Sequence, residues 1–213
     1  MSTVPPAPPF LEPFKRAVDL VVGGVGSLLT APLVALLALA IRLESPGDPI
    51  FRQERVGRDG RPFTMFKLRT MVDRAETIGG GYEISAGDAR ITRTGAFLRR
   101  TSLDELPNLW NIARGEMSLV GPRPTLAYQV AQYTPRQRGR LAVKPGLTGW
   151  AQLHGRAAVP WAERIELDLW YVEHRSIRLE LEIMRRTVAL VLRGEESYTS
   201  GHGGWAPPPG EGD

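Results

Sequence analysis

Leu20 to Ile41 is a run of 22 residues without a charge. At about 1.5 Å of rise per residue, a helix of that length reaches across a hydrocarbon core of about 30 Å. It is the one such run in the 213 residues, so the chain is not a polytopic membrane protein. Lys15 and Arg16 precede the run and Ala38-Leu39-Ala40 resembles a signal cleavage site, but the stretch starts late and exceeds the usual apolar core of about 7–15 residues. Pro32 sits near its middle, where it removes one backbone hydrogen bond and clashes with the preceding turn. Thr30 is placed to bond locally to the freed groups, which makes a sharp bend tolerable. Basic residues stand on both sides, Lys15 and Arg16 before, then Arg42, Arg52, Arg55 and Arg58 after, a pattern that suits two cytoplasmic ends. Crossing and re-entrant helices both remain open on the residues alone. Either is a membrane anchor.

With no cysteine, the chain is neither a disulfide scaffold nor a cysteine-ligated zinc or iron–sulfur protein, and it has no thiol chemistry. Of the 27 basic residues all but Lys15, Lys67 and Lys144 are arginine, whose planar fork pairs with phosphate and carboxylate oxygens. Arg90 to Arg140 holds nine arginines against three acids, a net charge of +6, and points to an anionic ligand.

The proline-rich start, residues 1–14, and the glycine- and proline-rich end, 194–213, read as disordered tails, leaving a membrane helix over 15–43 and a catalytic domain over 44–193. Turn signals at Gly47-Asp48 and Arg58-Asp59-Gly60 bracket apolar segments at Ile50-Phe51 and Phe63 to Phe66, which predicts a small hairpin. Helical periodicity covers Thr94–Arg100 and Leu103–Ile112, and Trp161, Ile165, Leu169 and Val172 repeat on one helical face. Leu181, Met184, Val188 and Val191 make an apolar stripe on a last helix, flanked by Arg178, Arg185, Arg186 and Arg193 and closed by Gly194 as C-cap. In an anchored chain such a basic amphipathic helix can lie on an anionic lipid surface. The predicted class is α+β and mainly helical, with a re-entrant N-terminal membrane helix, a small β-hairpin and interfacial amphipathic helices.

Thr101-Ser102-Leu103-Asp104-Glu105-Leu106-Pro107 is the segment with most chemistry. Ser102 with Glu105 three residues on is a capping box. Pro107 conflicts with it, because it would then be the fifth helical residue, where a hydrogen bond breaks. Either Asp104 is itself the cap, or the turn is irregular and presents its carboxylates elsewhere. Neighbouring acids on a helix point about 100° apart, which suits a division of labour: one carboxylate as nucleophile, the other on a hard cation such as Mg2+.

Gly121-Pro122-Arg123-Pro124 is a stiff turn, readable as a plain loop or as a preorganised arginine facing a phosphate. Lys67 and Arg69 lie two apart, on one face if their segment is a strand. The glycine-rich Pro145–Trp150 segment lacks the Lys-Ser/Thr ending of a phosphate loop. His154, His174 and His202 are too scattered for a metal cluster.

Several segments, in this order, resemble the bacterial sugar transferase family, the monotopic polyprenol phosphate phosphoglycosyl transferases: Phe51–Gly57, Lys67–Met71, Ile91–Gly95 with Leu98-Arg99-Arg100, Ser102–Pro107, Met117–Pro124 and Lys144–Gly149. The resemblance runs from Lys15 to Gly194 and matches the family's minimal catalytic form. It implies an enzyme of the bacterial inner membrane, facing the cytoplasm, that moves a sugar-1-phosphate from a UDP-sugar to polyprenol phosphate and releases UMP. By similarity Asp104 is the nucleophile and Glu105 binds Mg2+, while Lys67, Arg99 and Arg123 contact phosphate or nucleotide. Thr30 and Pro32 correspond to the helix-breaking Ser-Pro region, and a Glu stands at Glu180 where the family usually has Asp. The implied partners are a UDP-sugar, polyprenol phosphate and membrane lipids, with no nucleic acid; the pathway is capsule, exopolysaccharide, O-antigen or glycoprotein assembly. Two rivals differ in class: a basic domain binding nucleic acid or an acidic partner through the Arg90–Arg140 stretch, and a glycosyltransferase releasing UDP.

Overall fold

The computed structural model describes residues 7–78, 87–154 and 159–193. The expected C-cap at Gly194, the C-terminal tail, His202 and residues 1–6 lie outside the described residues.

The first helix, α1 (Leu11–Glu44), runs 34 residues, about 50 Å. Pro13 falls in its first turn, where a missing N–H costs nothing, and Pro32 falls inside it without interrupting the helix. Thr30 donates to the carbonyl of Gly26 at 2.7 Å, one turn back, rather than to the Leu28 carbonyl that Pro32 leaves without a donor. Along most of its middle the helix turns leucines outward; Leu28 and Leu29 are 76% and 73% exposed. It is long and apolar enough to cross a membrane.

Both ends of α1 dock on the rest of the chain. After it come β1 (Ile50–Val56) and β2 (Pro62–Leu68), the predicted antiparallel hairpin, with Ile50 opposite Leu68 and Val56 opposite Pro62. Then follow α2 (Arg93–Thr101), α3 (Asn108–Arg114), β3 (Ser118–Val120), α4 (Ala127–Ala131), β4 (Gly146–Thr148) and α5 (Trp150–Leu153). The chain closes with α6 (Trp161–Glu173) and α7 (Ile177–Leu192). β3 and β4 pair in parallel, so the glycine-rich 145–150 segment is a strand with its flanking turns.

At the N-terminal end of α1, buried Asp19 accepts from Ser118 Oγ at 3.1 Å and the Leu119 amide at 2.8 Å. Lys15 reaches Glu180 and the carbonyl of Val120, and Tyr171 donates to Glu180. Arg16 bonds the carbonyls of Ile112 and Ala113 at the end of α3, where a cation suits the helix dipole. Gly23 lets α3 approach: a Cβ there would stand 2.8 Å from the Ala113 amide nitrogen. At the far end, Ile41 packs with Leu68 and Leu98, and Glu44 accepts from the first amides of α2, Arg93 and Thr94.

The last helix splits the predicted stripe. Leu181, Val188 and Val191 face outward, whereas Met184 packs against the core that Leu179 and Ile183 form with Val120, Val143 and Val172, with Glu180 buried beside it. Being apolar on two sides, α7 keeps an apolar outer face beside Arg185 and Arg186.

Gly95, at the start of α2, sits on the backbone of Thr70; a Cβ would lie 1.9 Å from the Thr70 carbonyl oxygen. Gly95→Ala is expected to lower the thermal midpoint in detergent by about 5–10 °C, the result of an overpacking cost of about 1–3 kcal/mol at this chain length. Gly24→Ala, with nothing within 4 Å of the new methyl, is expected to leave the midpoint unchanged or raise it.

Candidate active site

Asp104 and Glu105 lie in a turn that the helical periodicity did not foresee. The predicted helix over Leu103–Ile112 is split: Ser102 takes a left-handed conformation (φ 57°), Leu103–Glu105 form a single 3-10 turn, and α3 starts only after Pro107. Pro107 is the physical reason, because it bars the preceding residues from continuing a helix through it. Of the two readings, the irregular turn is the one found, and neither Ser102 nor Asp104 caps a helix there by side chain.

The turn hangs between two helices seated on α1. Leu98 of α2 packs with Ile41, while Leu109 and Ile112 of α3 meet the backbone side of Gly23. β2 is brought alongside by Asn111, which donates to the Thr64 carbonyl at 2.7 Å and accepts from the Phe66 amide at 3.2 Å. That side-chain amide substitutes for a neighbouring strand, and it holds Lys67 against the turn.

The two carboxylates have opposite surroundings. Glu105 Oε1 accepts from Lys67 Nζ at 2.6 Å and from Arg123 Nη2 at 3.1 Å. Burial pushes the Glu105 carboxyl up, but Lys67 and then Arg123 outweigh it and hold it down at about 2. Its second oxygen has no hydrogen bond among the described residues. Asp104 is 5% exposed and makes no hydrogen bond among the described residues. Burial pushes it up to about 6, with the Glu105 charge adding and Lys67, Arg123 and Arg99 opposing. The site therefore pairs a firmly ionised, doubly anchored carboxylate with a desolvated, unanchored one.

Arg99 is oriented from behind, its Nε donating to Thr70 Oγ1 at 2.8 Å. Lys67, Arg99, Arg123, Asp104 and Glu105 thus gather as the sequence suggested. Arg69 does not join them. It lies just past the end of β2 and bonds the carbonyls of Ser45 and Pro46, securing the exit from α1. Thr30 and Pro32 have no contact with the site. The basic excess of residues 90–140 is partly structural: Arg90 pairs with Asp88, Arg136 with Glu166 and Arg140 with Asp168. His174 stacks on Trp170 with ring centroids 4.5 Å apart, and His154 meets Trp150 tilted at 41° with centroids 3.9 Å apart.

Sequence reasoning missed Thr70, Asn111 and Arg140. Asn111 had a signal, since it falls between Leu109 and Ile112 on the core side of its helix. Thr70 lay within the Lys67–Met71 motif but without a sign of its partner Arg99, 29 residues on, and Arg140 had no signal, its partner Asp168 being remote in the chain.

Among the described residues no three His, Cys, Asp or Glu side chains gather as a metal cage. The open oxygen of Glu105 is the donor available to a hard cation, and a single carboxylate completed by ligand phosphates suits Mg2+.

The comparisons with known proteins give the family. The model of the bacterial sugar transferase family matches residues 10–194. The chain is 40% identical over 188 residues to the uncharacterized sugar transferase EpsL of Bacillus subtilis, covering 88% of this chain and 92% of that protein. It is 43% identical over 195 residues to the UDP-glucose:undecaprenyl-phosphate glucose-1-phosphate transferase of Caulobacter vibrioides, covering 86% and 72%. The Escherichia coli protein of the same name is 40% identical over 207 residues, and the match spans 44% of its length. With a family match over most of its length and an exposed apolar helix at its start, this membrane-associated chain belongs to the bacterial sugar transferase family.

Proposed function

We propose that the chain transfers a sugar-1-phosphate from a UDP-sugar to a polyprenol phosphate, undecaprenyl phosphate by likeness to its relatives, through a covalent intermediate on Asp104. The observation that carries this reading is the buried, unanchored Asp104 carboxylate beside a Glu105 tied to two cations. A carboxylate relieved of hydrogen bonds is a better nucleophile, and a neighbour kept ionised is a metal ligand rather than a competing base.

An Asp104 oxygen attacks the β-phosphorus of the donor, and the bond from that phosphorus to the bridging oxygen breaks. UMP leaves with the bridging oxygen. A phosphate oxygen of the polyprenol phosphate then attacks the aspartyl-bound phosphorus, forms the new diphosphate and returns Asp104 as a carboxylate. Lys67, Arg123 and Arg99 disperse the charge that gathers on the phosphoryl oxygens. Glu105 would hold Mg2+, which when bound would supply further neutralisation of those oxygens. Two substrates taken in turn by one aspartate give ping-pong kinetics.

We also infer a monotopic seat on the cytoplasmic face of the inner membrane, with both ends of α1 on one side and the helix, continuous in the structure, bending at Thr30 and Pro32 within the bilayer. Support comes from the docking of both ends on one domain, Asp19 on β3 and Glu44 on α2, and from the basic residues at each end. The outward apolar stripe of α7 then rests on the lipid surface. We further propose that this transfer opens the membrane stage of capsule, exopolysaccharide or O-antigen assembly.

Purified protein in detergent with undecaprenyl phosphate, Mg2+ and a panel of UDP-sugars is expected to release UMP, in a lipid-dependent way, from at least one donor. Asp104→Asn is expected to cut that release by at least about 10³-fold. UDP in place of UMP would sink the phosphosugar mechanism.

The pH dependence follows from the sign of the Asp104 shift. For the free enzyme, kcat/KM is expected to rise with pH through about 6 and level off above, as the nucleophile ionises. Because the folded value lies above that of an unfolded Asp, the ionised group opposes folding above pH 6, and this cost fades as pH falls toward about 4. Asp104→Asn is therefore expected to melt higher than the parent at pH 8, with the gap closing by about pH 4. Equal melting at both values would contradict the raised Asp104.

The absence of cysteine permits a clean topology test. Single cysteines at Ser2 and Asp59, residues before and after α1, are both expected to resist a membrane-impermeant maleimide in intact spheroplasts and to react in inverted vesicles. Labelling of the Ser2→Cys variant alone in spheroplasts would establish a crossing helix instead.

A further inference from the structure

The turn that carries Arg123 is fixed through its carbonyls. Pro122 and Pro124 have no N–H, so the segment must be tied down mainly by its oxygens. Four consecutive carbonyls go to four separate donors. Pro122 O accepts from the Gly146 amide at 2.9 Å, and Thr125 O from the Val56 amide at 2.9 Å. Pro124 O accepts from Arg55 Nη1 at 3.1 Å, and the carbonyl of Arg123 itself accepts from Arg140 Nη2 at 3.0 Å.

Arg140 is an unusual choice for that last position. It is 4% exposed and comes from the 3-10 segment Gln137–Ala142. Its Nη1 bonds Tyr133 Oη at 2.5 Å, its Nη2 also meets the carboxylate of buried Asp168 on α6, and the Tyr133 and Trp161 rings lie 5.7 and 5.8 Å from its guanidinium. Its Nε alone has no partner among the described residues. A buried ion pair carries a desolvation cost that apolar residues of the same volume avoid. Its place behind the Arg123 turn thus calls for a role other than stability.

The geometry points to Arg140, held by Asp168 and Tyr133, as the positioning residue for Arg123 in binding the donor's diphosphate. This rests on the reading of Arg123 as a phosphate contact. Arg123 is partly exposed, its side chain at 40%, and has several rotatable bonds. Fixing its carbonyl sets where the side chain begins, so the guanidinium meets Glu105 Oε1 and faces the ligand with less freedom to lose. Asp168 cancels the Arg140 charge, so Arg140 acts through geometry and not by adding positive potential.

The test is UDP affinity, measured by titration calorimetry on the full chain in detergent with Mg2+, which needs no knowledge of the sugar. Arg140→Met with Asp168→Leu removes both charges at similar volume. It is expected to keep the thermal midpoint within a few degrees and to raise the Kd for UDP about 10-fold, and Arg123→Ala is expected to raise it by a similar factor. In the Arg123→Ala background the Met/Leu pair should add less than about 2-fold. Arg140→Lys, which retains the charge pair but loses the fork, should bind between the parent and the Met/Leu variant, and it carries the same cycle should the double variant fail to fold. A full 10-fold loss repeated in the Arg123→Ala background overturns the positioning role. Parent-like UDP binding by Arg123→Ala instead overturns the reading of Arg123, and the role of Arg140 falls with it.

Discussion

Lys67 and Glu105 meet at 2.6 Å across a gap of 38 residues, and the site depends on that contact being made. Lys67 arrives on a hairpin strand and Glu105 on a turn between two helices, so the pair forms only when the hairpin, α2 and α3 are already assembled. Its consequence reaches past Glu105. With Lys67 and Arg123 both spent on the Glu105 Oε1, Asp104 faces the same cations without a hydrogen bond from either. Adjacent residues in the chain thereby acquire unlike protonation behaviour, one carboxyl held low and the other pushed up to about 6. A regular helix would also separate the two side chains, but it would leave both on a solvated first turn, where neither would be desolvated. The left-handed Ser102 and the stop at Pro107 break that regularity.

The membrane helix is part of the same assembly rather than an appended anchor. α2 and α3 flank the catalytic turn, and each is fastened to α1: α2 through Glu44 and the Ile41–Leu98 contact, α3 through Arg16 and the close approach at Gly23. Asp19 and Lys15 fasten β3 and α7 in turn. Polar groups at both ends of α1 and small residues in its first half meet the domain, while Leu28, Leu29, Leu36 and Leu39 face away. A lipid acceptor held in the bilayer and a soluble nucleotide donor can meet only at the interface. In the proposed reading, a turn suspended directly from the membrane helix sits at that level.

Local features of this architecture were legible in the sequence. The hairpin was marked by its turn residues, α6 by its apolar spacing, and the anchor by its lack of charge. Asp104 and Glu105, the pair proposed for catalysis, stood out only through the ordered motifs; taken alone, Ser102 to Glu105 spells a capping box, which Pro107 contradicts. The apolar stripe of α7 was seen, but its direction was not, because a helix apolar on two faces gives the same periodicity whichever side is buried. The positioning roles of Thr70, Arg140 and Asp19 were hidden for a common reason. Each works through a backbone atom or side chain remote in sequence, and such pairings leave no local pattern.

The arginine bias gains meaning from the same geometry. An ammonium can satisfy Glu105 as a point charge, and Lys67 does so. Lys15 gathers the Val120 carbonyl, Glu180 and Tyr171 Oη on one ammonium, whereas Arg140 reaches its carbonyl, carboxylate and phenol from two nitrogens held in one plane, which fixes their relative directions. Arg55 makes a similar double contact, bonding Gln53 with one part of its fork and the Pro124 carbonyl with another. Two guanidiniums thus hold the proline-bounded turn from below while a third, Arg123, extends from it toward Glu105. Charge on the inner side of a loop is spent on geometry, whereas charge on its open side is available to phosphate. A count of basic residues along the chain cannot separate these two uses. Partners can: Arg140 and Arg55 are committed to carbonyls of the turn, whereas Arg123 is committed to the carboxylate beside the nucleophile.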